Sequence, residues 1–387
     1  MEPADITIND QDDVWTDRFG VKYTKDKRCL LQAPMELKKY CVHKDTKIIS
    51  NKAFYISKIE SIVLPKDLIC IGDAAFCGCI NLKEIGLSNS ITEIGESAFS
   101  GCCFETITIP DSITTIKNAT FYRCNSLKSV KFSYGLQRIE IDAFQSCRNL
   151  TDINLPESLE FIGDGAFSFC KKLPSLEIPL SVSTIGKGIV EGCTSLESLS
   201  VNPNNRFYTS ENYNCIIEKN GNVLIAGCNT TKIPSYVEVI GNGAFKNCSN
   251  LTNITIPEGI KTIDIEAFRY CSQLKEVHFP HSITKIRAYA FSECKEILSL
   301  NITSRKIIIE DVAFRNCTSL KTIHFETVFP KISFCAFNGC TNLVSIIVPK
   351  FDYFLVGVYG RQLIKWKKII REQQDQKQSH NNINQIE

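Results

Sequence analysis

One spacing governs this chain. Phe-x-x-Cys recurs at Phe76/Cys79, Phe99/Cys102, Phe121/Cys124, Phe144/Cys147, Phe167/Cys170, Phe245/Cys248, Phe268/Cys271, Phe291/Cys294, Phe314/Cys317 and Phe337/Cys340, and Val190/Cys193 keeps the place with Val for Phe. With Phe54 added, successive anchors lie 22 or 23 residues apart, except for one gap of 55 after Val190. That gap equals one 23-residue unit plus 32 residues. A unit this short cannot bury its own apolar side, so units must stack and share one core.

The other columns agree. Ile stands five residues before every anchor, from Ile49 to Ile332. Ala precedes the anchor in most units, which lets backbone turns pack closely. Leu follows Cys by three residues (Leu82, Leu127, Leu150, Leu173, Leu196, Leu251, Leu274, Leu320 and Leu343, with Ile297 substituting). Apolar residues at six and eight complete the alternation of a strand buried on one face. Pro often closes that strand, as at Pro110, Pro156, Pro179, Pro257, Pro280 and Pro349, because it cannot donate to a ladder. Each unit thus reads as a strand, a corner, a short extended piece ending in Ile, and a turn or short helix carrying Ala-Phe-x-x-Cys. Gly follows the Ile in several units, but Lys, Glu, Asp and Arg do too, so a positive φ is not compulsory there.

Eleven of the nineteen cysteines occupy one column of the repeat and follow the same logic. A metal or redox array needs clustered ligands, usually joined by His. One Cys per unit in a fixed column fits a small, weakly polar side chain packed inside each coil. Stacked, parallel thiols have poor disulfide geometry. Free thiols suit a reducing compartment.

The pattern IG-x-x-AF-x-x-C-x-x-L-x-x-I-x-IP resembles the BspA-type leucine-rich repeat family across roughly residues 20–366. The resemblance implies a repeat solenoid, a right-handed leucine-rich repeat superhelix. Its parallel β-sheet would line the concave side, with short strands, turns or short helices elsewhere. Members are associated with adhesion or protein binding. Secreted members carry a signal or sorting segment; the expectation here is a chain without one, which sets it apart from surface adhesins.

The organisation follows. Residues 1–19 form an acidic, poorly ordered leader and 20–47 a hairpin cap. Repeats occupy 48–201 and 234–350, separated by an inserted hairpin at 202–233 around Asn220-Gly221. The stretches 20–34 and 214–228 align without a gap, Tyr23 with Ile217 and Leu30 with Leu224. The segment 351–372 is a closing cap with a helix carrying Leu363, Trp366 and Ile370 on one face, and 373–387 is a disordered tail.

Net charge is +2, from 44 basic and 42 acidic residues, so no broad electrostatic footprint for nucleic acid exists. No apolar run is long enough to span a membrane, and the first 17 residues lack Lys and Arg. The expectation is a cytoplasmic monomer, with a cell-surface or secreted location, as in family members, as the alternative. No cofactor is expected.

Function must then be sought outside the packed core, on the exposed strand positions or the inserted hairpin. The partner-binding candidates are Lys131, Asp152, Asn154, Glu177, Glu276, His278, Asn301 and His324. The richest group is Glu276, His278, Asn301 and His324, on three consecutive units. Glu276 and His278 face one side of one strand, as an acid–base pair would. The expectation is a non-enzymatic scaffold binding a protein on the strand face or the inserted hairpin. The alternatives are a polysaccharide-active enzyme on a β solenoid and a cell-surface adhesin.

Overall fold

The computed structural model describes residues 14–304, 306–326 and 330–347. Two units divide the chain, Met1–Tyr208 and Thr209–Glu387. The closing segment 351–372 and the tail 373–387 lie outside the described residues, as do the first thirteen residues of the leader.

Each unit opens with an antiparallel hairpin and continues as a parallel ladder. In the first unit Lys22–Thr24 pairs antiparallel with Cys29–Gln32, and Val14–Thr16 adds an outer strand. Cys29–Gln32 then pairs in parallel with Ile48–Ile49, which passes the ladder to Cys70–Ile71 and Glu93–Ile94. In the second unit Cys215–Glu218 pairs with Val223–Gly227, which passes the ladder to Val239–Ile240. The aligned residues are equivalent in register: Tyr23 faces Leu30, and Ile217 faces Leu224. A bulge falls at the same aligned step in both hairpins, Lys22/Tyr23 and Ile216/Ile217. The second hairpin lies against the first ring of its unit. A Cβ at Gly227 would stand 2.2 Å from a Phe245 ring carbon, so only glycine fits.

The anchor rings are buried and stacked face to face. Centroids are 5.0–5.7 Å apart from Phe54 to Phe167 and 4.9–5.2 Å apart from Phe245 to Phe337. Burying one such ring contributes about 1.5–3 kcal/mol.

The cysteine column has a specific role beside them. From Cys79 to Cys193 and from Cys271 to Cys340, each Sγ donates to the carbonyl of the anchor one coil earlier. Those contacts span 3.0–3.2 Å. Cys therefore supplies both a soft core atom and a donor to an inward carbonyl. Ser57 holds the place in the Phe54 coil, where its Oγ donates to Met35 O at 3.5 Å. Burial pushes the Cys124 and Cys170 thiols up to about 12.

The anchor segment is a turn, and no helix occurs among the described residues. Alternate amides explain this. Lys52, Phe54 and Ile56 donate their N–H groups to Asp73, Ala75 and Cys77 of the next coil. The intervening Ala53, Tyr55 and Ser57 donate within the coil to Ser50, Lys52 and Phe54. Peptide planes that alternate in this way require left-handed residues two before and two after the anchor. Lys52 (φ 59°) and Ile56 (φ 55°) occupy those places in the first such coil, and Val312 (φ 52°) and Asn316 (φ 57°) in a late one. The positive φ thus falls at different positions from the Gly after the Ile column. Gly163 meets a different demand there: a Cβ would lie 2.6 Å from the Ile141 amide nitrogen.

Two coils are one residue short between the Cys and Leu columns. Ile59 and Phe104 fill the Leu place one residue early, and both are fully buried. Phe104 turns its ring edge-on to Phe99 and Phe121 at 5.9 and 6.3 Å.

Candidate interaction face

The strand after the Leu column presents alternate side chains to solvent. In the second unit these strands form one five-stranded parallel sheet: Asn253–Thr255, Glu276–His278, Ser299–Ile302, Thr322–Phe325 and Ser345–Ile347. Register places Thr255, His278, Asn301, His324 and Ile347 side by side in one row. Asn253 and Glu276 begin a parallel row, which continues through Ser299, Thr322 and Ser345. Inward Ile254, Val277, Leu300 and Ile323 are buried and hold the sheet on the core.

The structure therefore brings Glu276, His278, Asn301 and His324 together. His324 Nδ1 and Asn301 Oδ1 are 3.2 Å apart, so the imidazole N–H donates to the amide oxygen. His278 Nε2 stands 3.9 Å from Glu276 Oε2, with both side chains at least 70 % exposed. General acid–base chemistry draws its power from water-excluded settings, which this open pair lacks. Surface groups of this kind suit recognition by hydrogen bonds and charge. Among the described residues no group of three His, Cys, Asp or Glu side chains is placed to hold a metal ion.

The four candidates of the first unit are exposed but divided. Lys131 and Asp152 lie on the three-stranded sheet of Thr106–Thr108, Ser129–Lys131 and Asp152–Ile153. Asn154, just beyond that last strand, donates from Nδ2 to Asp152 Oδ1 at 3.3 Å. Glu177 lies on the separate pair Ser175–Ile178 and Ser198–Val201. The cause of the break is Pro174. Lys128 and Thr151 donate their amides to the preceding coil, and Pro174 has no N–H to continue the series.

A neighbouring column carries a signal that the exposed pairs alone do not reveal. One place before the strand row, the first five coils of the first unit read Lys38, Glu60, Lys83, Glu105 and Lys128, alternating in sign, and Thr151, Pro174 and Glu197 follow. Lys38 pairs with Glu60 at 3.8 Å and Lys128 with Glu105 at 2.8 Å. In the second unit the same column reads Thr252, Lys275, Leu298, Lys321 and Val344, with no carboxylate. Backbone bonds from Lys275 to Thr252, Lys321 to Leu298 and Val344 to Lys321 fix this order.

Comparison with known proteins agrees with this architecture. The family described as "BspA type Leucine rich repeat region (6 copies)" matches residues 47–151, 129–237 and 238–355. The chain belongs to the BspA-type leucine-rich repeat family. A leucine-rich repeat protein from Bacteroides ovatus is 27 % identical, with a TM-score of 0.52 over 86 % of this chain and 85 % of that one. A leucine-rich cell surface protein from Faecalibacterium prausnitzii is 24 % identical, with a TM-score of 0.60 over 87 % of this chain and 93 % of that one. The pneumococcal vaccine antigen PcpA is 18 % identical, with a TM-score of 0.54 over 88 % of each chain. No curated protein matches the chain. Among the described residues no helix is long and apolar enough to cross a membrane.

Proposed function

We propose that this protein is a non-enzymatic binding scaffold that takes a protein partner on the strand face of its second unit. The observation that supports this most is the register of Thr255, His278, Asn301, His324 and Ile347 along one uninterrupted sheet. A rigid sheet presents its side chains without ordering a loop on binding, which lowers the entropic cost of association. Family membership supports a repeat scaffold as the setting. Lys131, Asp152, Asn154 and Glu177 are secondary contacts in this reading, on the shorter sheets of the first unit. The nineteen cysteines, all free thiols, favour a reducing compartment and hence a cytoplasmic partner.

The test is proximity labelling and affinity capture in the native cell, with the triple change Glu276→Ala, His278→Ala and His324→Ala. The expected outcome is loss of the specific partner with an unchanged melting temperature, because all three side chains are exposed. Undiminished capture by the folded triple variant would place the site elsewhere.

A further inference from the structure

The column that borders this face identifies the chemistry it would recognise. In the second unit Lys275 and Lys321 are exposed, and among the described residues neither has an ion-pair partner. Leu298 lies between them with 52 % of its surface exposed, and Val344 follows with 65 % exposed. Lys275 shares its strand segment with His278, and Lys321 with His324. The carboxylate in the three rows is Glu276, which faces His278. The face thus carries two cationic stations two coils apart, with an apolar shelf between them. Coils are spaced like paired strands, so the stations are separated by about 10 Å. In the equivalent column of the first unit Glu60 pairs with Lys38 and Glu105 with Lys128.

An extended chain in the polyproline II form repeats its facing every three residues, at about 3.1 Å per residue. Carboxylates at positions i and i+3 of such a chain therefore stand about 9 Å apart on one side. That interval matches the stations; an apolar residue between the carboxylates would lie over Leu298, and one beyond the second carboxylate over Val344. A sugar chain would match the charge but would leave this apolar shelf unused, and the two exposed rows hold no Phe, Tyr or Trp on which a sugar could stack.

We propose that the strand face of the second unit docks an acidic, proline-containing peptide segment of a partner protein, with carboxylates three residues apart seated on Lys275 and Lys321. This rests on the reading of that face as the binding surface and adds the chemistry of its occupant.

The test uses the full chain and fluorescein-labelled peptides read by anisotropy. The probe is (Glu-Pro-Pro)4, with (Lys-Pro-Pro)4 and a heparin octasaccharide as comparisons. Saturable binding of the acidic peptide alone is expected, weakening several-fold between 50 and 300 mM salt as the charges are screened. The double change Lys275→Glu and Lys321→Glu should lower affinity at least 10-fold. Leu298→Ser should lower it about 3-fold, and Lys83→Glu in the first unit should leave it unchanged. Circular dichroism checks that each variant is folded. No binding by the wild-type chain at millimolar peptide, or equal binding of heparin that Leu298→Ser leaves intact, would overturn the acidic-peptide proposal. Neither result touches the broader reading, which fails only if the triple variant still captures its partner.

Discussion

The two units carry the same columns but differ in the continuity of their sheets. In the second unit every anchor step from Phe245 to Phe337 is 23 residues, and its five face strands form one sheet. In the first, steps of 22 and 23 residues are mixed, and the face strands fall into sheets of two, three and two. The coil with Leu82 lies between the two short coils. Its contact with the neighbouring face strand reduces to one bridge, Ser61 to Glu84. Farther along, Pro174 removes a donor. The lesson is that the core tolerates a missing residue or amide, because side-chain columns need only volume. The strand ladder does not, because hydrogen bonds need register.

The comparison can be tested most severely at the rings. Phe144→Ala and Phe268→Ala should each cost about 3–5 kcal/mol in urea denaturation, since both rings are fully buried. Costs differing by more than about 2 kcal/mol would break the equivalence of the two cores. The thiol column gives the next effect. Cys124 and Cys170 are raised from 9.0 to about 12, chiefly by burial, and Cys271 and Cys294 are also raised well above 9.0. A raised folded value means that the thiols stabilise the fold fully below about pH 9. That contribution is lost as the pH rises from about 9 towards 12. Both units should therefore lose near-native circular dichroism together in this window, and survival of one at pH 11 would separate them.

Removing one thiol is milder. Cys294→Ala deletes a buried sulfur and the donor to Phe268 O, at a cost of about 1–2 kcal/mol in thermal unfolding. Cys294→Ser should cost less than the alanine change, because Ser57 already fills this column elsewhere. Pro174→Lys would sharpen the contrast between the sheets. The new amide at 174 should become protected in hydrogen exchange by donating to Thr151, with stability changing by less than about 1 kcal/mol. The smallest effect is at Val312, a β-branched residue at φ 52°. Val312→Gly should raise stability by about 0.5–1 kcal/mol, since relief of backbone strain exceeds the added chain entropy.

Much of this was legible in the sequence. The Ile, Phe, Cys and Leu columns announced a stacked core, because burial imposes the same residue at the same place in every coil. The gapless match of 20–34 with 214–228 announced two equivalent hairpins, because their register depends on the same alternation of inward side chains. The left-handed columns were hidden. Lys52, Ala74, Ser97 and Val312 occupy them as readily as Gly165 and Gly188, since inter-coil hydrogen bonds override intrinsic preference. The thiol-to-carbonyl ladder was equally hidden, because spacing shows that a cysteine repeats and not what its proton meets.

The sequence by itself therefore determined the repeat unit, the composition of the core and the family, because a periodic chain can bury periodic side chains only by stacking. The tertiary structure decided which exposed residues share a surface. His278, Asn301 and His324 are 23 residues apart in sequence and become neighbours only where an unbroken ladder holds their strands in register.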